Sequence, residues 1–181
     1  MSVADRRSAL VVVATEAEPV VAEWRLRYHR HSVERRIPPH LTVLFPFVAQ
    51  PQVRDELLHE LGRLYAPLPS FTYDLVSVEA FPQAAWLAPM PAQPFLDLIA
   101  TTSAAFPAYP PYGDPGLAPV PHCTVGTDDD PGLVEEMVRQ LRAGLGPQLP
   151  IRCRAGEVTL LAERLDGAWA TRATFPLGGS G

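Results

Sequence analysis

The stretch Ile37-Pro38-Pro39-His40-Leu41-Thr42-Val43-Leu44-Phe45-Pro46-Phe47 decides the reading of this chain, because its centre returns 82 residues later as Val120-Pro121-His122-Cys123-Thr124-Val125. In each copy a proline precedes a histidine, and a threonine follows two residues on. The intervening residue is apolar, so both copies read as strands with alternating faces. His40 and Thr42 then share one face while Leu41, Val43 and Phe45 point the other way. His122 and Thr124 likewise oppose Cys123 and Val125. The apolar set belongs against helices, which leaves both His/Thr pairs on the open face of a sheet.

The repetition extends outward from these strands. A helical apolar pattern follows each one: Val53, Leu57, Leu58, Leu61 and Leu64 after the first, Leu133, Val134, Met137, Val138, Leu141 and Leu145 after the second. Pro51 and Pro131 suit first-turn positions, and Asp130 is a good N-cap. Leu68-Pro69 and Leu149-Pro150 close the helices at an offset of 81. Strands are predicted over 71–80 and 151–163. Ala85-Trp86 and Ala168-Trp169, offset by 83, each open a further strand. A strand over 10–15 and helices over 16–31 and 93–106 complete the two halves.

These elements predict an α+β fold of two pseudo-symmetric lobes, each a mostly antiparallel sheet backed by helices, with a cleft between them. The expectation is one bilobal domain over 1–181, with an internal repeat of roughly 36–90 and 118–177. Each half is too small for an independent core. The proline-rich stretch 107–121 cannot be a central strand or a helix. It reads as a stiff connector; a loop that offers Tyr109 or Tyr112 to a base is the sharper alternative.

Composition narrows the function. With 181 residues, 47% hydrophobic and 19% charged, the chain is globular, and its 21 prolines argue for many defined loops. A net charge of −5 with 15 Lys+Arg offers no broad basic surface for duplex nucleic acid. The two cysteines, Cys123 and Cys153, give neither a disulfide framework nor metal-ligand spacing. The apolar run at 9–14 is short and meets Glu16 and Glu18, so it reads as a strand and not as a signal peptide. A cytoplasmic monomer without membrane contact is expected.

Two imidazoles and two hydroxyls converging on one cleft suit phosphate-ester chemistry. One neutral imidazole can take a proton from an attacking water while the other, protonated, donates to the leaving oxygen. An unperturbed pKa of about 6.5 makes both forms accessible near neutrality. The threonine hydroxyls can donate to nonbridging phosphoryl oxygens. His29, His31 and His59 have no threonine two residues on and no counterpart in the other half, so they read as structural or surface residues. A zinc site would need a third ligand, which no symmetric acidic residue supplies, and Cys123 points away. No cofactor or metal is expected. Arg35, Arg36, Arg152 and Arg154 lack symmetric placement and stay outside the predicted site.

The paired motifs, spanning a chain of this size, resemble the 2H phosphoesterase superfamily, and within it the branch named for 2′-5′ RNA ligases. The resemblance implies a bilobal fold with metal-independent opening of cyclic phosphodiesters. It implies substrates such as 2′,3′-cyclic phosphates on RNA ends or nucleotides, or ADP-ribose cyclic phosphate. His40 and His122 would be the acid–base pair, and Thr42 and Thr124 would hold the phosphate. The alternatives are a non-catalytic nucleotide- or RNA-binding module on the same fold, and an RNA 2′-5′ ligase.

Overall fold

The structure, a computed structural model, describes residues 6–113 and 116–178. Its strands are β1 (Ser8–Val13), β2 (His40–Leu44), β3 (Phe71–Phe81), β4 (Ala84–Met90), β5 (Cys123–Thr127), β6 (Ile151–Ala155), β7 (Glu157–Glu163) and β8 (Trp169–Pro176). Among the described residues five α-helices accompany them: α1 (Glu18–Tyr28), α2 (Arg30–Glu34), α3 (Asp55–Tyr65), α4 (Gln93–Ala105) and α5 (Pro131–Gly144). The strands form one sheet in the order β6-β3-β4-β5-β2-β1-β7-β8, with every pair antiparallel. The two motif strands lie side by side at its centre.

The order carries a geometric consequence. Gly156 alone separates β6 from β7, so their facing ends are at most about 7 Å apart. In a flat sheet the same two strands would stand six spacings, or roughly 29 Å, apart. The sheet must therefore curl back on itself, and its concave side forms a cleft. The strand expected over 151–163 is in fact two: β6 completes the half that holds β5, and β7 the half that holds β2. Ala85-Trp86 and Ala168-Trp169, alike in sequence, also part company, since β4 is interior and β8 lies at an edge.

The convex face is the main core. Leu41, Val43, Cys123 and Val125 pack there with Val21 of α1, Leu61 of α3, Phe95 of α4 and Met137 of α5. Leu41, Cys123 and Val125 are fully buried, each such apolar side chain contributing about 1.5–3 kcal/mol. The α5 cap is as expected, with the Gly132 N–H donating to Asp130 Oδ1 at 2.8 Å. Elsewhere the local pattern yields to the surroundings. Pro51 sits in a separate 3-10 turn, and α3 begins at Asp55, with Asp55 and Glu56 in its first turn where the dipole favours them. The helix expected over 16–31 breaks at His29, where the backbone reaches φ −141°.

Phe45 departs from the expected alternation. Leu10 pairs with Leu44 but Val11 with Thr42, so β2 carries one extra residue in a bulge. The bulge sends both Val43 and Leu44 to the core and turns Phe45 to the cleft side, where it packs with Val11 and Trp169. In the connector, a 3-10 turn forms at Pro111–Gly113. Tyr109 packs edge-on against Phe47 with centroids 5.3 Å apart, so it serves the core instead of offering a free face. The Tyr112 side chain lies outside the described residues. Among the described residues no helix is long and apolar enough to cross a membrane.

Candidate active site

The four residues singled out by sequence meet at the join of β2 and β5. Leu41 pairs with Cys123 across the join, both facing the core. One residue out on either side, the register sets His40 against Thr124 and Thr42 against His122, all four on the cleft face. The pseudo-twofold passes through the Leu41/Cys123 pair. Diagonal neighbours in such a ladder stand roughly 7–8 Å apart, which is the separation expected of the two histidines.

Both imidazoles are held alike. His40 Nδ1–H donates to the Pro38 carbonyl at 2.8 Å, and His122 Nδ1–H to the Val120 carbonyl at 2.6 Å. A carbonyl can only accept, so each neutral ring carries its proton on Nδ1 and its lone pair on Nε2. The Pro-Pro-His and Val-Pro-His sequences thus set the tautomer of the ring that follows. Burial pulls His40 down to about 4, opposed by the Pro38 bond and reinforced by the charges of Arg25 and His122. Burial also lowers His122, opposed by its bond to Val120. Cys123 lies behind the pair, and burial raises its thiol to about 12, which makes it inert.

Behind His40 is a buried polar cluster that periodicity did not reveal. Arg25, only 3% exposed, donates from Nη2 to the Ile37 carbonyl at 2.7 Å and faces Glu18 at 3.6 Å. It braces the Ile37-Pro38-Pro39 segment from which His40 hangs. His29, expected to be structural, contacts Ser32 Oγ at 2.8 Å, and burial together with Arg25 and His40 pulls it to about 4. His31 and His59 are exposed, as expected.

The flanks of the two histidines differ. Beside His40 and Thr42 is a cavity of about 220 Å³ walled by Val11, Ile37, Phe45, Leu161 and Trp169, with Arg7 and Arg35 at its edge. Both guanidiniums pair with the fully buried carboxylate of Glu163, and Arg7 also lies 5.8 Å from the Phe45 and Trp169 ring centres. Burial works to raise Glu163, but the two arginines outweigh it and hold the carboxyl below its usual range. Beside His122, Phe81 stacks on Trp86 at 4.9 Å, and both rings contact the imidazole. Arg35 therefore borders the site, whereas Arg36 lines a different groove. Arg152 and Arg154 sit on the edge strand β6, bonded to Asp74 and Ser70. Among the described residues no three His, Cys, Asp or Glu side chains group as metal ligands.

The fold and the two motif strands agree with the comparisons to known proteins. The family profile of the 2′-5′ RNA ligase superfamily matches residues 13–167, and the chain belongs to that superfamily. Its enzymes are of phosphoesterase and ligase type. Escherichia coli LigT in complex with 3′-AMP shares the fold at TM-score 0.59 and 18% identity, over 95% of this chain and 98% of that one. The protein TT0787 of Thermus thermophilus aligns at TM-score 0.61 and 17% identity, over 97% and 100%. The LigT complex with NADP+ gives TM-score 0.61 and 18% identity, over 95% and 98%. No curated protein matches the sequence.

Proposed function

We propose that the protein is a metal-independent phosphoesterase that opens cyclic phosphodiesters by two-histidine acid–base catalysis. The substrate is a 2′,3′-cyclic phosphate on an RNA end or nucleotide, or ADP-ribose cyclic phosphate. The observation that carries this reading is the shared bond from each Nδ1–H to the carbonyl two residues back, which puts the lone pair of each neutral ring on Nε2. One neutral imidazole takes a proton from water as the water oxygen attacks phosphorus. The bond from phosphorus to one ribose oxygen breaks, and the other imidazole, protonated, delivers its proton to that oxygen. The net change is addition of one water. Thr42 and Thr124 donate to the nonbridging oxygens as charge builds there.

At rest both imidazoles are lowered toward neutrality. The charge on a bound phosphodiester favours the imidazolium and supplies the acid form where it is needed. The nucleotides named in the LigT complexes agree with a nucleotide-sized ligand. With an RNA 5′-hydroxyl in place of water as the nucleophile and the 3′-oxygen as the leaving group, the same pair would open the ring to a 2′-5′ linkage, the activity for which the superfamily is named. The reading includes a monomer acting in the cytoplasm without cofactor.

The test is turnover of a panel of 2′,3′-cyclic nucleotides in EDTA, with His40→Ala and His122→Ala alongside. Wild-type turnover and its loss in both variants are expected. Retained activity in either variant would sink the acid–base assignment.

A further inference from the structure

We infer that Arg25 is a positioning residue for His40, clamping from behind the sheet the segment whose carbonyl fixes that ring. The inference rests on the two-histidine reading of the cleft and adds a residue that sets how one member of the pair is placed and charged. Pro38 and Pro39 have no N–H, so the two residues before His40 can be tied down only through their carbonyls. Each carbonyl of the segment has its donor. Arg25 Nη2–H reaches Ile37 at 2.7 Å, His40 Nδ1–H reaches Pro38 at 2.8 Å, and the Ala14 N–H reaches Pro39 at 2.9 Å. The Ile37 N–H itself donates to the Ser32 carbonyl at 2.9 Å. Of the donors that come from outside the segment, Arg25 is the one that brings a charge, which makes its bond the stronger kind.

A buried cation is a costly brace. Arg25 is 3% exposed, the Glu18 side chain it faces is half in solvent, and its Nε–H has no partner among the described residues. Burying a charge and leaving a donor unmet both cost stability, so an apolar side chain would suit the core better. The other half does without one. α1 lies against β5 and α4 against β2, yet α1 buries Val21 and Arg25 where α4 buries Phe95, Leu98, Ile99 and Thr102 and holds no Lys or Arg. The cation therefore acts on one side of the pseudo-twofold. Around His40 stand Arg25 from α1 with Glu18 opposite it, His29 from the turn that follows, and His122 and Cys123 from β5. Arg7 and Arg35 stand at the cavity edge, both held by Glu163. A guanidinium charged at every working pH disfavours an imidazolium beside it. His40 is thus the ring ready to take a proton on Nε2, and the acid part falls to His122.

The experiment compares the wild type with Arg25→Met, Arg25→Lys and Val21→Ala, the last of which loosens the same face of α1 without touching a charge. Nitrogen NMR of the rings across a pH titration reads each histidine's tautomer and protonation. The pH dependence of kcat/KM on a 2′,3′-cyclic nucleotide reads the free protein in turnover. In the wild type His40 should titrate below His122 and carry its neutral-form proton on Nδ1. Arg25→Met should raise the His40 titration and the low-pH limb of kcat/KM by about one unit, and leave His122 and the high-pH limb in place. Its kcat should fall about tenfold as the ring loosens. Arg25→Lys keeps the charge and a donor, so the low-pH limb should return to its wild-type position. Val21→Ala should lower the unfolding midpoint and move neither ring. His122 titrating at or below His40 in the wild type, an unmoved His40 in Arg25→Met, or an equal shift in Val21→Ala would overturn the inference. If Arg25→Met does not fold, the wild-type order of the rings and Arg25→Lys decide, and a low-pH limb raised by a unit in the lysine variant overturns it. No turnover by the wild type would instead overturn the phosphoesterase reading, while the NMR arm still decides the part played by Arg25.

Discussion

Val11 and Trp86 occupy matching places on the two sides of the cleft: Val11 pairs with Thr42 across β1 and β2, and Trp86 pairs with Thr124 across β4 and β5. A small side chain at one place leaves the cavity beside His40 open. A large one at the other fills the corresponding space and stacks on Phe81. The two imidazoles, by contrast, are held the same way on both sides, down to the carbonyl two residues back. On the proposed reading the matched histidines share one phosphate, and the unlike flanks meet whatever surrounds it.

The comparison breaks most visibly at the histidines. If the two halves contribute equally, His40→Ala and His122→Ala should each lower kcat by about 10²–10⁴, read in steady-state assays on a 2′,3′-cyclic nucleotide. A tenfold loss in one and a thousandfold loss in the other would mean the halves are not functional equals. Next in size is Trp86→Ala, which empties the filled flank and should cost about 3–5 kcal/mol in denaturant unfolding. Val11→Ala, removing far less volume, should cost less.

Gly126→Ala probes β5 from behind. An added Cβ there would lie 2.2 Å from Met137 Sδ and 2.7 Å from Tyr28 Cβ, so α1 or α5 must shift. A loss of about 1–3 kcal/mol is expected in the same unfolding experiment. The matching position on β2 is Leu44, fully buried, so close helix approach is a property of the His122 strand.

The last effect is on stability in mild acid. His29 and His40 titrate near 4 in the fold and at about 6.5 when unfolded, so between those values the unfolded chain binds more protons. Stability should therefore be full above about pH 6.5 and fall as pH drops toward 4. Unfolding midpoints compared at pH 7 and 5 should differ, and His29→Gln with His40→Gln should shrink the difference. An unchanged difference would contradict the burial assigned to these rings.

The motif strands, the helix patterns and the shared face of His40, Thr42, His122 and Thr124 were legible because each rests on a local period. The path of the strands was not. Whether 151–163 makes one strand or two depends on which neighbours it finds, and Gly156 gives only a faint hint of a division. Phe45 was misplaced for a similar reason, since the bulge at Val43 is set by pairing with β1 and leaves no trace in the pattern. Arg25, Glu163 and Trp169 could not be tied to the site from sequence, because contacts across 12 to 156 residues bring them there. Trp86 and Trp169 did stand out as landmarks, but of a repeat, and nothing local told that each would border a histidine.

The most direct test of the central claim, that two imidazoles act as acid and base on one phosphate, is the pH dependence of kcat and kcat/KM measured side by side. Activity requires one ring protonated and one neutral, so both profiles should be bell-shaped. Because both rings are lowered in the free protein, the kcat/KM maximum should lie below about pH 6.5. The kcat maximum should lie at higher pH, since the bound phosphate favours the imidazolium. A profile that rises or falls monotonically in either parameter would contradict the paired mechanism.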